Sequence, residues 1–277
     1  MCLHDHTSED APSGQTRTVT MDRRQLVQGL AAGTVVAFAG GMAGCAYNES
    51  LGRQQLMLVD QGQIAQLSAS AWQDVLKQEK RWANPAANRR VETVGKRITT
   101  AAGRTDLEWE YAVFDDDQLN AFVLPSGKVG VYRGLLETVK NDDQLAAVLG
   151  HETGHVSARH AAERYSQQVA AGVGGTVAQV AVAQSDTKYK NEIVQALGLG
   201  VTFGVLLPYS RKHELEADRI GVDYMHKAGY KPMEAVELWK LMQAQGGNKP
   251  PEFMSTHPAE GTRIRELEQH ILRMGYA

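Results

Sequence analysis

The residues with the clearest chemical potential are His151-Glu152-Thr153-Gly154-His155. On a helix, His155 lies about 40° around the axis from His151, and Glu152 lies about 100° from it, so the three polar side chains project over one arc. Two imidazoles one turn apart can share a single zinc ion, and a carboxylate beside them can take a proton from water. This is the HExxH pattern of a metal-dependent hydrolase. The alternative is a solvated helix face that happens to carry two histidines.

A tetrahedral zinc ion with one open position needs a third protein ligand. The chain has only two cysteines, Cys2 and Cys45, so the donors must be histidine and carboxylate. In Arg211-Lys212-His213-Glu214-Leu215-Glu216-Ala217-Asp218-Arg219, Glu214 and Asp218 share a helix face. Glu216 points roughly 160° to 200° away. Glu214 is therefore the better third ligand, and Asp218 is placed to accept the far N–H of a zinc histidine and fix its tautomer. The competing reading has the two acids pairing with Arg211 and Arg219 on the surface. His160 is a rival ligand, but it follows His155 by five residues, not the six of HExxHxxGxxH, and Ala158 occupies that motif's glycine position.

The elements that must hold these groups can be read around them. Asn141 is a natural N-cap and Gln144 completes a capping-box pattern. Leu145, Val148, Leu149 and Val156 supply a core-facing stripe. Gly150 and Gly154 each cost about 1 kcal/mol of helix stability relative to alanine, which is read as a mark of a functional site. Upstream, helices are expected over Ala69–Lys80 and Asn88–Ala102, with Trp72 and Trp82 as packing residues. Strands follow at Trp109–Phe114, Asn120–Leu124 and Lys128–Tyr132, the last two around the turn Pro125-Ser126-Gly127, with Asp115-Asp116-Asp117 a solvated turn. The expected fold class is α+β, mainly helical, with a small antiparallel sheet beside the HExxH helix. An exposed edge of that sheet could take an extended peptide by main-chain hydrogen bonds. Val169–Ala183 and Ile193–Leu207 are too short and too glycine-interrupted to span a membrane and read as buried or lid-like helices.

The remaining sequence bounds the setting. The 277 residues are 43% hydrophobic and 22% charged, with a net charge of -3 and no long charge run, so nothing points to nucleic acid. Residues 1–20 are polar and aperiodic, and read as disordered or as a start placed too early. Met21 opens a better start: Arg23-Arg24, an uncharged Gly/Ala/Val-rich run, then Met42-Ala43-Gly44-Cys45. Residues 21–44 thus read as a signal peptide, with a twin-arginine flavour, ending in a lipobox-like sequence that would leave Cys45 acylated. Residues 45–70 are expected to be a tether or spacer and 71–277 the catalytic domain. The expected location is the periplasmic side of a bacterial envelope, lipid-anchored, and Ala46 after the cysteine favours the outer membrane.

HExxH followed about sixty residues later by ExxxD, in the setting Ser210-Arg211…Glu214…Ala217-Asp218, resembles the gluzincin peptidases that include HtpX, Oma and the CAAX prenyl endopeptidase, and among them the periplasmic LoiP and BepA type. Asn120-Ala121-Phe122, Gly134-Leu135-Leu136 and Arg263 extend the likeness. The resemblance implies a minigluzincin-like domain with one zinc ion on His151, His155 and Glu214, and Glu152 as general base. It also implies that His257, in Ser255-Thr256-His257-Pro258, occupies the open metal position in a latent state, and that Arg263 stabilises an oxyanion. The implied substrates are unfolded or misassembled envelope proteins, with envelope assembly machinery as a possible partner. A zinc-stabilised chaperone-like binding module with a latent site is the alternative, and a hydrolase of peptidoglycan peptides is a third.

Overall fold

The computed structural model describes residues 44–59, 61–170, 209–245, 253–254, 257 and 261–276. The segment 1–20, the signal peptide read at 21–44 apart from its last residue, and most of the two apolar stretches within 169–207 lie outside the described residues. Among the described residues no helix is long and apolar enough to cross a membrane.

The chain runs β1 (Cys45–Asn48), β2 (Arg53–Leu56), α1 (Gln61–Gln78), α2 (Pro85–Ala101), β3 (Glu110–Phe114), β4 (Ala121–Leu124), β5 (Lys128–Tyr132), α3 (Arg133–Thr138), α4 (Asp142–Ser157), α5 (His160–Ala170), α6 (Arg211–Lys227), α7 (Met233–Gln245) and α8 (Gly261–Met274). Local signals set several of these. Asn84 accepts from the Ala86 and Ala87 N–H groups at 3.1 Å, and Pro85, which has no N–H to lose, starts α2. Asn141 caps α4 by accepting from the Gln144 N–H at 2.8 Å. The Gln144 side chain reaches back one residue further than in a capping box, to the Lys140 N–H at 3.0 Å.

Helix α4 is the central element. Every residue from Gln144 to Ser157 is buried, so its polar face is enclosed as fully as its apolar stripe. It packs on α2, α6, α7 and β4, and the apolar side chains of these elements form the main core with α8. A second core gathers Trp72, Phe114, Phe122 and Tyr132, with ring centroids 5.6–6.4 Å apart, between α1 and the sheet.

Three expectations are corrected. The sheet is mixed: β4 and β5 form the expected hairpin, but β3 pairs parallel with β5, giving the order β3-β5-β4 with β4 at an edge. The turn after β3 is responsible. Asp115 is held by Lys80 and Arg133, and the Asp116 and Gln118 carbonyls accept from the Gly134 and Leu135 N–H groups, which carries the chain past β5 before β4 begins.

The glycines of the HExxH helix have a packing reason. A Cβ at Gly154 would lie 2.8 Å from the Ala217 carbonyl oxygen, one at Gly150 would lie 2.9 Å from that of Gly221, and one at Gly221 would lie 2.8 Å from the His151 nitrogen. Backbone meets backbone where α4 crosses α6, and only glycine fits there.

Residues 45–70 are not a spacer. The β1–β2 hairpin is docked on the C-terminal end of α4, and α1 begins at Gln61, burying Ile64 and Ser68. The hairpin's polar residues looked solvated because their partners are distant. Asn48 donates to the Ser157 carbonyl at 3.1 Å and Gln55 to that of Ala158 at 2.6 Å, meeting acceptors that the helix end leaves unpaired. Cys45, at the head of β1, is disulfide-bonded.

Candidate metal centre

Helix α4 presents His151, Glu152 and His155, and α6 presents Glu214 and Asp218 toward them. Ser210 starts α6 by accepting from the His213 N–H at 3.2 Å. His151, His155, Glu214 and His257 each offer a donor atom within 4.8 Å of the others, and all four are buried. The His151 and His155 Nε2 atoms are 3.1 Å apart, and Glu214 oxygens lie 3.4 Å from the first and 3.5 Å from the second. His257 Nδ1 is 3.2 Å from His151 Nε2 and 3.1 Å from Glu214 Oε1. Metal–ligand bonds of about 2.05 Å in a tetrahedron put neighbouring donors about 3.3 Å apart. Five of the six edges thus lie at 3.1–3.5 Å, taking the nearer Glu214 oxygen each time, which suits an ion shared by three imidazoles and one carboxylate, with His257 in the fourth position.

The electrostatics fit the same use. Burial pulls the His151 imidazole down, but Asp218 and Glu214 outweigh it and hold its pKa up at about 9. Burial, reinforced by the His151 charge, pushes His155 well below its ordinary value. Burial would raise Glu214, yet the charges of His257 and Arg263 hold it well below the usual carboxylate range. Glu152 is raised, chiefly by burial. Its Oε1 is buried and lacks a hydrogen bond among the described residues, with the His257 Nε2 3.3 Å away. A desolvated carboxylate that accepts from the Val123 backbone but keeps one oxygen outside any hydrogen bond, beside a metal-sized cluster, is suited to move a proton.

Asp218 sits where the spacing put it, with Oδ1 2.9 Å from His151 Nδ1. Arg263 does not sit as expected. Its Nε and Nη2 reach Asp218 at 2.5 and 2.8 Å, its Nη1 reaches Glu214 at 2.7 Å and the His257 carbonyl at 3.2 Å, and its guanidinium lies 3.9 Å from the Trp239 ring centroid. Two buried carboxylates need a counter-charge more than a passing oxyanion does, so the guanidinium is committed to the groups that hold the ligands. His160 lies outside the four-donor cluster, with its Nδ1 2.9 Å from His155 Nδ1. Sequence reasoning missed this contact, although a histidine five residues beyond a ligand was the available signal. The other missed feature is a small cavity of about 50 Å³ beside His155, lined by Val123 and Pro125 from the sheet edge together with Ile64, Val156 and Tyr209.

A mainly helical domain with a small sheet, built around a buried HExxH helix and a glutamate from a second helix, is a zincin-like metallohydrolase domain. Residues 85–271 match peptidase family M48, and the chain belongs to that family. It is 43% identical over 183 residues to the mitochondrial metalloendopeptidase OMA1 of Schizosaccharomyces pombe, covering 65% of this chain and 52% of that one. It is 29% identical over 235 residues to human mitochondrial metalloendopeptidase OMA1, covering 79% and 44%. With the beta-barrel assembly-enhancing protease of Escherichia coli K12 it shares 26% identity over 196 residues, covering 69% and 40%. The chain thus spans about half the length of these relatives, or less.

Proposed function

We propose that this chain is a zinc-dependent endopeptidase that cleaves unfolded or misassembled proteins of the cell envelope. The observation that carries the reading is the buried four-donor set of His151, His155, Glu214 and His257 with the Glu152 carboxylate against it. Bound zinc supplies Lewis-acid chemistry, polarising a scissile carbonyl and acidifying water. The protein supplies the rest. Asp218 orients His151 through its Nδ1, Arg263 holds Asp218 and Glu214, and Glu152 takes a proton from water and delivers it to the leaving amine. An extended substrate adds to the β4 edge, and the cavity beside His155 receives one of its side chains.

Quality control as the biological role rests on what the relatives are, a metalloendopeptidase of mitochondria and a protease that enhances β-barrel assembly. The envelope location and the lipid tether rest on the leader pattern and on Met42-Ala43-Gly44-Cys45. Acylation would need the Cys45 sulfur as a free thiol, which requires a dithiol reductant to open its disulfide. A second reading, a latent binding module, is favoured by His257 in the fourth position of the cluster.

The test compares cleavage of an unfolded casein substrate by the parent, by Glu152→Gln and by chelator-treated protein, with zinc content measured in each. The reading expects one zinc per chain in parent and variant, cleavage by the parent alone, and loss of cleavage with the chelator. Zinc without cleavage, even after His257→Ala, would select the binding module, and absence of zinc would sink the reading.

A further inference from the structure

His151 is oriented by a direct brace: its Nδ1 meets Asp218, which Arg263 holds through both carboxylate oxygens. Among the described residues, His155 has no carboxylate at its Nδ1. It meets His160 Nδ1 at 2.9 Å, and His160 Nε2 lies 3.1 Å from Glu216 Oε2. Glu216 in turn accepts from Arg53 Nε and Nη2 at 2.7 Å each. The other edge of the same guanidinium donates to Glu163 at 2.8 Å, twice. Glu163 also accepts from Gln55 at 2.6 Å and faces His213 Nε2 at 3.4 Å, and the His213 ring stacks on His160 with centroids 4.4 Å apart. The edge of His160 is thus fixed by Glu216 and its face by His213, and both supports lead back to Arg53.

We propose that Arg53, on the β1–β2 hairpin, is a positioning residue for the metal ligand His155, acting through Glu216 and His160. This inference rests on the zinc reading of the four-donor cluster. The chemistry runs in one direction. A metal on His155 Nε2 requires the proton on its Nδ1, so that Nδ1 donates and His160 Nδ1 accepts. His160 must then carry its own proton on Nε2 and give it to an acceptor, which is Glu216. An ionised Glu216 in a nearly closed environment needs a counter-charge, and the Arg53 fork matches it with two parallel bonds. Take away the fork, and Glu216 is left to turn toward solvent or Lys212, the His160 tautomer is no longer imposed, and His155 loses its preferred orientation.

The test uses the full chain and zinc itself as the probe, read by competition with a chromophoric chelator. Partners that orient metal-binding histidines are typically worth 10- to 100-fold in metal affinity, so Arg53→Ala and Glu216→Gln should each weaken zinc binding by about that factor. Arg53→Lys, which keeps the charge without the fork, should fall between parent and Arg53→Ala. Arg90→Ala is the control: it removes an ion pair with Asp142 at the opposite end of α4 and should leave zinc affinity unchanged. Zinc affinity within threefold of the parent in both Arg53→Ala and Glu216→Gln overturns the proposal, as does an equal loss in Arg90→Ala. If circular dichroism shows Arg53→Ala unfolded, the nearly isosteric Glu216→Gln decides alone. A parent that binds no zinc would instead overturn the metal reading on which the inference stands, which the parent titration shows separately.

Discussion

Gly154→Ala puts one methyl group between the two helices that share the metal ligands. Its carbon would lie 2.8 Å from the Ala217 carbonyl oxygen and 3.2 Å from the Ala217 Cα, against an ordinary contact of 3.4 Å or more. Both obstacles are backbone, so no rotamer change relieves them, and α4 and α6 must part by about 0.6 Å to restore normal contact. The His155 Nε2 to Glu214 Oε1 edge, now 3.5 Å, would open to about 4.1 Å, beyond the tolerance of about 0.2 Å per bond that a zinc site allows. The helix itself gains up to about 1 kcal/mol from alanine, which offsets much of an overpacking cost of about 1–3 kcal/mol. The fold should therefore survive with a stability change of no more than about 2 kcal/mol. Zinc affinity, however, should fall at least tenfold, or about 1.4 kcal/mol. Chelator competition reads the second quantity, and urea unfolding of the metal-free chain reads the first. Gly95→Ala, whose methyl would meet the Tyr111 ring first, is the matched control and should cost stability without touching zinc. Parental zinc affinity in Gly154→Ala would refute the argument that the glycine sets the ligand spacing.

Three further outcomes are expected. His257→Ala should retain one zinc per chain on the remaining three ligands and raise cleavage of unfolded casein, because it opens the fourth position; unchanged cleavage would mean that His257 does not limit access. Zinc affinity should weaken about tenfold per pH unit below the His151 pKa of about 9, since a histidine raised by its carboxylate partners holds a proton that the metal must displace; a pH-independent affinity between 6 and 8 would contradict that. Asn141→Ala removes the cap of α4 together with the contact from its Nδ2 to Glu234 at 3.2 Å, and should cost about 1–2 kcal/mol in urea unfolding.

What was legible in the sequence was the part written in local spacing. The start of α4 at Asn141, the common arc of His151 and His155, and the shared face of Glu214 and Asp218 all follow from helical periodicity, and all recur in the structure. The hairpin of β4 and β5 followed from its turn residues. What was not legible depended on contacts between distant segments. Arg53, Glu163 and Glu216 lie 110 and 163 residues apart along their pairs, and nothing local distinguishes them from solvated charges. The glycines of α4 were visible but their reason was not, because it lies in the backbone of Ala217 and Gly221. The parallel partner of β3 was hidden for a related reason. An acidic turn reads as a solvated bend until Lys80 and Arg133 are seen to fold it back.

The docking of the hairpin on α4 also bears on reach. A flexible leash over residues 45–70 would let a tethered domain roam about 25–30 Å from its anchor, by random-coil dimensions. Here Cys45 opens a strand whose partner strand grips the C-terminal end of the metal helix. Were a lipid attached at Cys45, there would be no leash to pay out. The domain would sit flush on the bilayer in one orientation, and its working volume would be a thin layer at the membrane surface. Substrates would be selected first by whether they dwell in that layer, before any pocket discriminates among side chains.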